Sequence, residues 1–286
     1  MRVSNKWLTR LVKPIENLTP TENHTPEYKA GKLDLIHTTI ILQAMPEHRL
    51  DKQLKRPPKK YAPKGMNILF EDRDIIIVDK VQGLLTMGNE RESERTAYNN
   101  LTDYVSKGNP KSPHRIFIVH RLDRETSGVL VFAKSEEAKT YLQSEWSSFN
   151  KTYYAVVHGH MPKQEGIISS YLVEQGIFKM YSASNPEQKK QGKLSKTEYK
   201  VIQQNDTHSL VELNILTGRK HQIRVHLADK GCPVVGDKKY GNGGKGEKGA
   251  KRLALHAAKL NIKHPYTKYD LTIEAPVPSI FLKMVQ

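Results

Sequence analysis

The residues most able to do chemistry lie close together between positions 120 and 128, which read His-Arg-Leu-Asp-Arg-Glu-Thr-Ser-Gly. Asp123 stands between Arg121 and Arg124, and neighbouring cations favour the ionised form of a carboxyl group. An ionised carboxylate can act as a nucleophile. The same segment also fits a turn in which the aspartate binds its own backbone and the arginines face solvent. The local sequence leaves both interpretations open.

A second polar group spans residues 217 to 226, which read Thr-Gly-Arg-Lys-His-Gln-Ile-Arg-Val-His. Thr217 is predicted to be the N-cap of a helix that carries the rest of the group. His221 and Arg224 are three residues apart and therefore share a face of that helix. Donors on the first turn of a helix suit a phosphate or a carboxylate. The alternative is an ordinary helix with a solvated basic face.

Several other chemistries do not fit these residues. His221 and His226 lie about 140° apart around a helix, too far to share one metal ion easily. The single cysteine, Cys232, makes a disulfide within the chain impossible. The glycine-rich stretch 241 to 246 is predicted to be a loop, and it lacks the Gly-Lys-Ser/Thr ending of a phosphate-binding P-loop. Asp123 has no obvious acidic partner for two-carboxylate or metal-dependent hydrolysis. We therefore expect no metal.

Tyr153 begins an apolar strand predicted over residues 153 to 157. Side chains alternate between the two faces of a strand, so Tyr153 and Tyr154 point in opposite directions. Only one of them can face a given cleft. A tyrosine in such a strand is usually part of the core, and the strand pattern by itself favours that role.

These groups are predicted to be carried by a domain that begins at residue 65. Apolar runs bounded by turn residues predict strands over residues 68–70, 75–79, 116–120, 129–133, 153–157, 196–202, 209–215, 253–260 and 269–274. Helices are predicted over residues 96–106, 136–146 and 220–230, the second capped by Ser135 and the third closed by Gly231. Because strands outnumber helices, we predict an α+β domain with a central, mainly antiparallel mixed sheet and flanking helices.

Residues 1 to 64 differ from the rest of the chain. They are polar, contain scattered prolines and end in a basic stretch over residues 55 to 64. We predict an N-terminal extension and linker here, with one strand over residues 33 to 42. The basic stretch fits either a contact with phosphates or a solubilising linker.

The whole chain is strongly basic. Its 46 lysines and arginines against 30 acids give a net charge of +16, which indicates a polyanionic partner, usually nucleic acid. A well-solvated surface would have the same composition. One cysteine is typical of a reducing compartment, and the N-terminus lacks the apolar segment of a signal peptide. No apolar run is long enough to span a bilayer. We therefore predict a cytoplasmic protein that does not contact a membrane.

Five ordered sequence elements resemble the RluA-type family of RNA pseudouridine synthases, and they extend over residues 66 to 276. The segment 120 to 128 resembles the signature of that family. The others are Asp79-Lys80 through Gly83-Leu84, Lys151-Thr-Tyr153, residues 217–226 continued by 231–237 and Tyr240-Gly241, and Leu255-His-Ala257 with His264-Pro265. Val81 stands where the family usually has proline, and Lys220 where threonine is commoner. Residues 1 to 64 do not show the small S4 domain that many relatives carry.

The resemblance implies a pseudouridine synthase fold with a basic cleft that converts a uridine within RNA into pseudouridine, without cofactor or metal. It implies that Asp123 is the catalytic aspartate, that Arg224 pairs with it and that Tyr153 packs on the target base. The residues expected to contact the RNA are His120, Arg121, Arg124, Thr126, Arg219, His221 and Gln222. The target must leave its stack to reach the site, and we expect Arg121 to fill the vacated space.

The expected substrate is large-subunit ribosomal RNA, with transfer RNA as the second choice. We expect a monomer. The alternative function is a non-catalytic RNA-binding protein of the same fold.

Overall fold

The computed structural model describes residues 41–42, 62–88, 90, 92–176, 179–241 and 252–286. All of them belong to the unit Ile36–Gln286. Most of the predicted extension and of the glycine-rich stretch 241 to 246 therefore lies outside the described residues. The domain boundary at residue 65 stays a prediction. Within the extension, Ile41–Leu42 form a two-residue strand at the end of the strand predicted over residues 33 to 42.

A single sheet contains every strand of the described residues. The strands are β1 (Ile41–Leu42), β2 (Met66–Glu71), β3 (Ile75–Lys80), β4 (Phe117–Ile118), β5 (Ser127–Ala133), β6 (Asn150–His158), β7 (Glu165–Gln175), β8 (Lys179–Ser182), β9 (Lys193–Gln204), β10 (His208–Ile215), β11 (Leu255–Lys263) and β12 (Asp270–Glu274). Paired strands are antiparallel except β5 and β11, which pair His256 with Ser127. The prediction of a mixed, mainly antiparallel sheet is confirmed.

The main path of the sheet runs β2-β3-β5-β11-β6-β10-β9-β7-β8. Strand β5 has two neighbours on one edge, because β11 pairs with its first residues and β4 with its last. The loop 119–126 joins β4 to β5 and leaves the sheet where these two neighbours separate. Asp123 therefore lies in a loop held at both of its ends by strands of the sheet.

The five helices of the described residues are α1 (Ala97–Ser106), α2 (Glu136–Ser144), α3 (Pro186–Gln191), α4 (Gln222–Asp229) and α5 (Ser279–Lys283). The predicted cap of α2 is confirmed, since Oγ of Ser135 accepts the N–H of Ala138 at 3.1 Å. Gly231 follows α4 with a φ of 75°, as predicted. Strands β7 and β8 and helices α3 and α5 were not predicted. No helix in the described part of the chain is long and apolar enough to cross a membrane.

The prediction that Thr217 is the N-cap of α4 is wrong. The helix begins at Gln222, and His221 occupies the N-cap position with a left-handed backbone (φ 54°) and no side-chain cap. Oγ1 of Thr217 instead donates to Oε1 of Gln222 at 2.7 Å and accepts the N–H of Lys196 at 2.9 Å. The bond from Lys196 ties this segment to β9, so residues 217 to 221 form a turn before the helix.

Both faces of the middle strands are covered, which explains their continuous apolar runs. Every residue of β5 is buried. On one face Leu130 and Phe132 belong to the same apolar cluster as Leu101 of α1 and Ile223 of α4. Helix α4 is itself buried from Gln222 to Leu227. The alternative of a helix with a solvated basic face is therefore wrong, and the two segments rich in polar residues meet inside the domain.

Candidate active site

A cleft of about 320 Å³ is lined by residues of the loop 119–126, of β6 and of the start of α4. Nine of the ten predicted site residues line it: His120, Arg121, Asp123, Thr126, Tyr153, Arg219, His221, Gln222 and Arg224. The tenth, Arg124, forms an ion pair with Glu92 at 2.8 Å and does not line this cleft. The fold thus brings three separate segments of the sequence to one place.

The backbone on both sides of Asp123 is anchored to the segment that follows β3. Leu122 is buried; its N–H donates to Oγ1 of Thr86 at 3.1 Å, and its carbonyl accepts from the same hydroxyl at 2.9 Å. The carbonyl of Arg124 accepts the N–H of Gly83 at 2.8 Å. Asp123 therefore extends from a fixed point, which favours a functional role over a mobile surface turn.

The carboxylate of Asp123 receives two contacts on the same oxygen. Nη1 of Arg224 lies 3.3 Å from Oδ2, and Nε2 of His221 lies 3.7 Å from it. No described residue hydrogen-bonds the other oxygen, Oδ1. The side chain is 22% exposed, so the carboxylate is oriented by cationic and polar neighbours and still reaches the cleft.

Arg224 is held more tightly by Asp237 than by Asp123. Its Nε and Nη2 donate to Oδ2 and Oδ1 of Asp237, both at 2.8 Å. Burial opposes the charge of Arg224, but the hydrogen bonds and charge of Asp237, with a smaller effect of Asp123, outweigh burial and raise the pKa of the guanidinium. A bidentate pair also fixes the plane of the guanidinium. Asp237 therefore sets the direction from which Arg224 approaches Asp123.

Tyr240 supports both neighbours of the Asp123 carboxylate. Its hydroxyl accepts the N–H of Met180 at 3.0 Å and lies 2.7 Å from Nδ1 of His221. The hydroxyl proton can then point to Nδ1, which leaves Nε2–H of His221 on the side of Asp123. Burial lowers the pKa of His221 to about 4 despite the opposing effect of Asp123, so the imidazole is neutral. The guanidinium of Arg224 lies 5.2 Å from the centre of the Tyr240 ring.

Of the two adjacent tyrosines, Tyr153 faces the cleft. It is 9% exposed, and burial together with the charge of Asp123 raises the pKa of its phenol. No described residue hydrogen-bonds its hydroxyl. Tyr154 points to the opposite side of the sheet, where its hydroxyl donates to Glu212. Tyr153 belongs to the main apolar cluster of the core, as its strand position predicts. It also offers a neutral ring and hydroxyl to the cleft.

The remaining predicted contacts differ in how accessible they are. The amide of Gln222 is buried and donates to the carbonyl of Lys196 at 2.9 Å. Nε2 of His120 accepts the N–H of Val131 at 3.1 Å, and its ring stacks on Trp146 at 4.2 Å. Thr126 is buried. Arg121 and Arg219 are exposed at the cleft. The arginines are therefore free to meet a ligand, whereas Gln222 and His120 also build the walls.

One group of side chains in the described residues has ligand atoms close enough together for a metal ion: Asp72, Asp74 and His264. None of them lines the cleft. Nε2 of His264 lies 2.7 Å from Oδ2 of Asp72, and its Nδ1 accepts the N–H of Thr267 at 3.1 Å. Oδ1 of Asp72 accepts the N–H groups of Asp74 and Ile75. Asp72 and His264 therefore hydrogen-bond each other and the backbone of their own turns, and so link the turn before β3 to the turn after β11.

Sequence reasoning assigned no role to Asp237, Tyr240 or Trp146, although all three shape the cleft. Asp237 and Tyr240 lie in a sequence element that resembles the RluA-type family, and this resemblance is the signal that points to them. Their partners could not be read from the chain, because Asp237 and Arg224 are 13 residues apart and meet only through the turn after α4.

The chain matches known proteins over most of its described length. Residues 74–229 match the model of a family described as RNA pseudouridylate synthase. An uncharacterised RNA pseudouridine synthase, YhcT of Bacillus subtilis, is 37% identical over 218 residues, 75% of this chain and 69% of that protein. Ribosomal large subunit pseudouridine synthase D of Escherichia coli K12 is 31% identical over 234 residues, 77% of this chain and 70% of that protein.

Solved structures show the same fold. Human RNA Pseudouridylate Synthase Domain Containing 4 superimposes with a TM-score of 0.62 at 25% identity, covering 76% of this chain and 90% of that one. Human RNA Pseudouridylate Synthase Domain Containing 1 also gives a TM-score of 0.62, at 26% identity, over 77% of this chain and 85% of that one.

Proposed function

Because the chain belongs to the RNA pseudouridylate synthase family, we propose that its cleft converts a uridine of an RNA chain into pseudouridine, with Asp123 acting at the ribose. One observation supports the assignment of this activity to the cleft. The Asp123 carboxylate has Oδ2 held by Arg224 and His221, whereas Oδ1 has no partner among the described residues. The enzyme is an isomerase, since substrate and product contain the same atoms.

The reaction requires that one base be detached, turned and rejoined. The bond between N1 and C1′ breaks, the uracil rotates, and a bond forms between C5 and C1′. C5 then loses its proton and N1 gains one. Oδ1 of Asp123 acts at the ribose either as a nucleophile or as a base, and both routes place the same oxygen there. Arg224 orients the carboxylate through its contact with Oδ2.

Tyr153 is proposed to hold the detached base. Its ring lines the cleft beside Asp123, and a flat apolar surface keeps uracil bound while it turns. The raised pKa of its buried phenol keeps the hydroxyl protonated, so this group can donate a hydrogen bond to the base. The exposed Arg121 is proposed to occupy the place that the target leaves in the RNA stack. Arg219, Arg124 and His221, with His120, Thr126 and Gln222 in the wall, complete the proposed RNA contacts.

The proposed substrate is large-subunit ribosomal RNA. A relative named ribosomal large subunit pseudouridine synthase D supports this choice, and transfer RNA is the alternative. We propose a monomeric cytoplasmic enzyme that needs neither metal nor cofactor, with residues 1 to 64 as an extension to a catalytic domain over residues 65 to 286. Activity that persists in a chelator supports the metal-free reaction.

The test compares the wild type with Asp123→Asn on ribosomal RNA carrying tritium at C5 of uridine. We expect tritium release by the wild type and a loss of at least about 10⁴-fold in Asp123→Asn, because a group essential to the reaction is removed. Asp206→Asn, in the exposed turn between β9 and β10, serves as the matched control with wild-type activity.

Mapping with a carbodiimide reagent then identifies the modified uridine in cells that lack the gene and carry either variant. A wild-type protein that binds the RNA but releases no tritium from ribosomal or transfer RNA would favour the alternative, a non-catalytic RNA-binding protein.

A further inference from the structure

Two lysines are buried in the part of the domain that the structure describes, Lys80 and Lys151, and their surroundings differ. Lys80 is fully buried, and its Nζ donates to three backbone carbonyls, those of Val81, Leu84 and Arg124, at 3.0, 2.8 and 3.3 Å. Burial lowers the pKa of Lys80 to about 8, against the opposing effect of the carboxylates of Glu125, Asp123 and Asp79. The hydrogen-bonding capacity of this ammonium is therefore filled by the protein, and the lysine connects the loop of Asp123 to the segment after β3.

Lys151 is 6% exposed but lacks such partners. Its Nζ donates to one acceptor, the carbonyl of Trp146, at 2.7 Å, and lies 5.6 Å from the centre of the Trp146 ring. No described carboxylate lies within ion-pair distance of it. An ammonium can donate three hydrogen bonds, and a buried charge without a counter-ion costs free energy. The ammonium of Lys151 therefore has no counter-ion among the described residues.

The position of Lys151 shows where a counter-ion could bind. Lys151 lines the same cleft as Asp123 and Tyr153. It precedes Tyr153 by two residues on β6, so both side chains leave the same face of the strand, about 6.6 Å apart along it. Burial lowers the pKa of Lys151 to about 8, and the group is still protonated for the most part at pH 7.

We propose that Lys151 binds a phosphate of the RNA next to the target uridine. The proposal rests on the proposed function insofar as RNA occupies the cleft. A base packed on Tyr153 with its ribose at Asp123 leaves its phosphodiester as the nearest anion, and a lysine binds phosphate oxygens as a compact charge. Bound phosphate supplies the missing counter-ion, so part of the cost of burying this lysine in the free protein is recovered on binding.

The experiment measures RNA binding in an Asp123→Asn background, where no turnover occurs, at several salt concentrations. Lys151→Met should bind roughly tenfold more weakly at low salt, because one charged hydrogen bond is lost. The slope of log affinity against log salt should fall by about 0.7–0.9, the value of one phosphate contact. Lys151→Arg should restore the slope. Lys163→Met, an exposed lysine beyond the other end of β6, should leave it unchanged.

A neutral methylphosphonate placed on either side of the target uridine locates the contact. At one of the two positions, the methylphosphonate should weaken RNA binding by the protein that has Lys151. At the same position it should cause no further loss of binding in Lys151→Met, because the contact is already absent. An unchanged salt slope in Lys151→Met, or losses that add at both positions, would refute the phosphate site. If the Met variant does not fold, Lys151→Gln, which also removes the charge, takes its place in both measurements. Lys151-dependent binding without tritium release by the wild type would refute the proposed function and leave this site in place.

Discussion

Arg224 donates to Oδ2 of Asp123 at 3.3 Å across 101 residues of sequence. The same guanidinium makes two hydrogen bonds of 2.8 Å to Asp237. Arg224 is therefore bound more closely to the turn after α4, which carries Asp237, than to the loop of Asp123. The pair with Asp237 therefore keeps the guanidinium in place beside the Asp123 carboxylate.

Asp237→Asn should loosen this arrangement. The side chain of Asp237 is fully buried, and removing one partner of a buried ion pair leaves the other uncompensated. We expect a loss of about 3–5 kcal/mol in the free energy of unfolding. We also expect kcat to fall about 100-fold, because Arg224 is no longer held in line with Asp123.

Urea denaturation and the tritium-release assay measure the two effects. Asp270→Asn is the control, since Asp270 is 68% exposed in its ion pair with Lys263, and such pairs contribute less than about 1 kcal/mol. Wild-type kcat in a folded Asp237→Asn protein would contradict the orienting role.

Tyr240→Phe should affect turnover more than binding. It removes the hydroxyl that lies 2.7 Å from Nδ1 of His221, so the imidazole no longer has a fixed tautomer facing Asp123. We expect kcat to fall roughly tenfold with KM changed less than about twofold, as for an interaction used in the transition state. Tyr104→Phe, which removes a hydroxyl bond to Glu71 outside the cleft, should keep the wild-type kcat. A rise in KM alone for Tyr240→Phe would mean that the hydroxyl serves binding.

Gly128→Ala should destabilise the protein strongly. Gly128 has a φ of 113°, and a Cβ at this position would lie 2.1 Å from the carbonyl oxygen of Ala257 on the paired strand β11. Neither backbone can yield without breaking the β5–β11 pairing, so we expect a loss of at least about 4 kcal/mol. Gly159→Ala is the matched control: its φ is 70° but no atom lies within 4 Å of the added Cβ. That change should cost about 1–2 kcal/mol. Equal losses in thermal or urea unfolding would contradict the steric explanation.

Stability should decrease as the pH falls from about 6.5 to about 4. His226 is fully buried, and burial lowers its pKa to about 4, with Lys230 acting in the same direction. Below pH 6.5 the histidine of the unfolded chain binds a proton, whereas His226 in the folded protein stays neutral until about pH 4. The free energy of unfolding is therefore highest above pH 6.5 and decreases as the pH falls between these two values. The contribution of this group is on the order of 3 kcal/mol.

Urea unfolding at pH 7.5 and pH 5 measures this loss. His226→Gln keeps a polar side chain for Ser170 and Thr197, its present partners, but cannot titrate. It should lose less stability between the two pH values than the wild type does. His256, also buried with a pKa lowered to about 4, should account for part of the remaining loss. Identical pH slopes for the two proteins would assign the effect to other groups.

Much of the fold follows from local patterns. The predicted strands over residues 75–79, 129–133 and 209–215 coincide with β3, β5 and β10 within about two residues, because alternation and apolar runs are properties of neighbouring residues. The cap at Ser135 is equally local. Strand β7, with polar residues on both sides of a short apolar core, was missed because its place is decided by pairing with β9.

The sequence by itself determined the family, the sheet-rich α+β class and the residues to examine, since ordered motifs and chain periodicity survive without a structure. The tertiary structure decided which of these residues meet. It placed Tyr153 rather than Tyr154 in the cleft, made Asp237 the main partner of Arg224, and turned Thr217 from a helix cap into a support for Gln222. The physical reason is that burial and charge partners depend on contacts between distant segments, and such contacts exist only after the chain has folded.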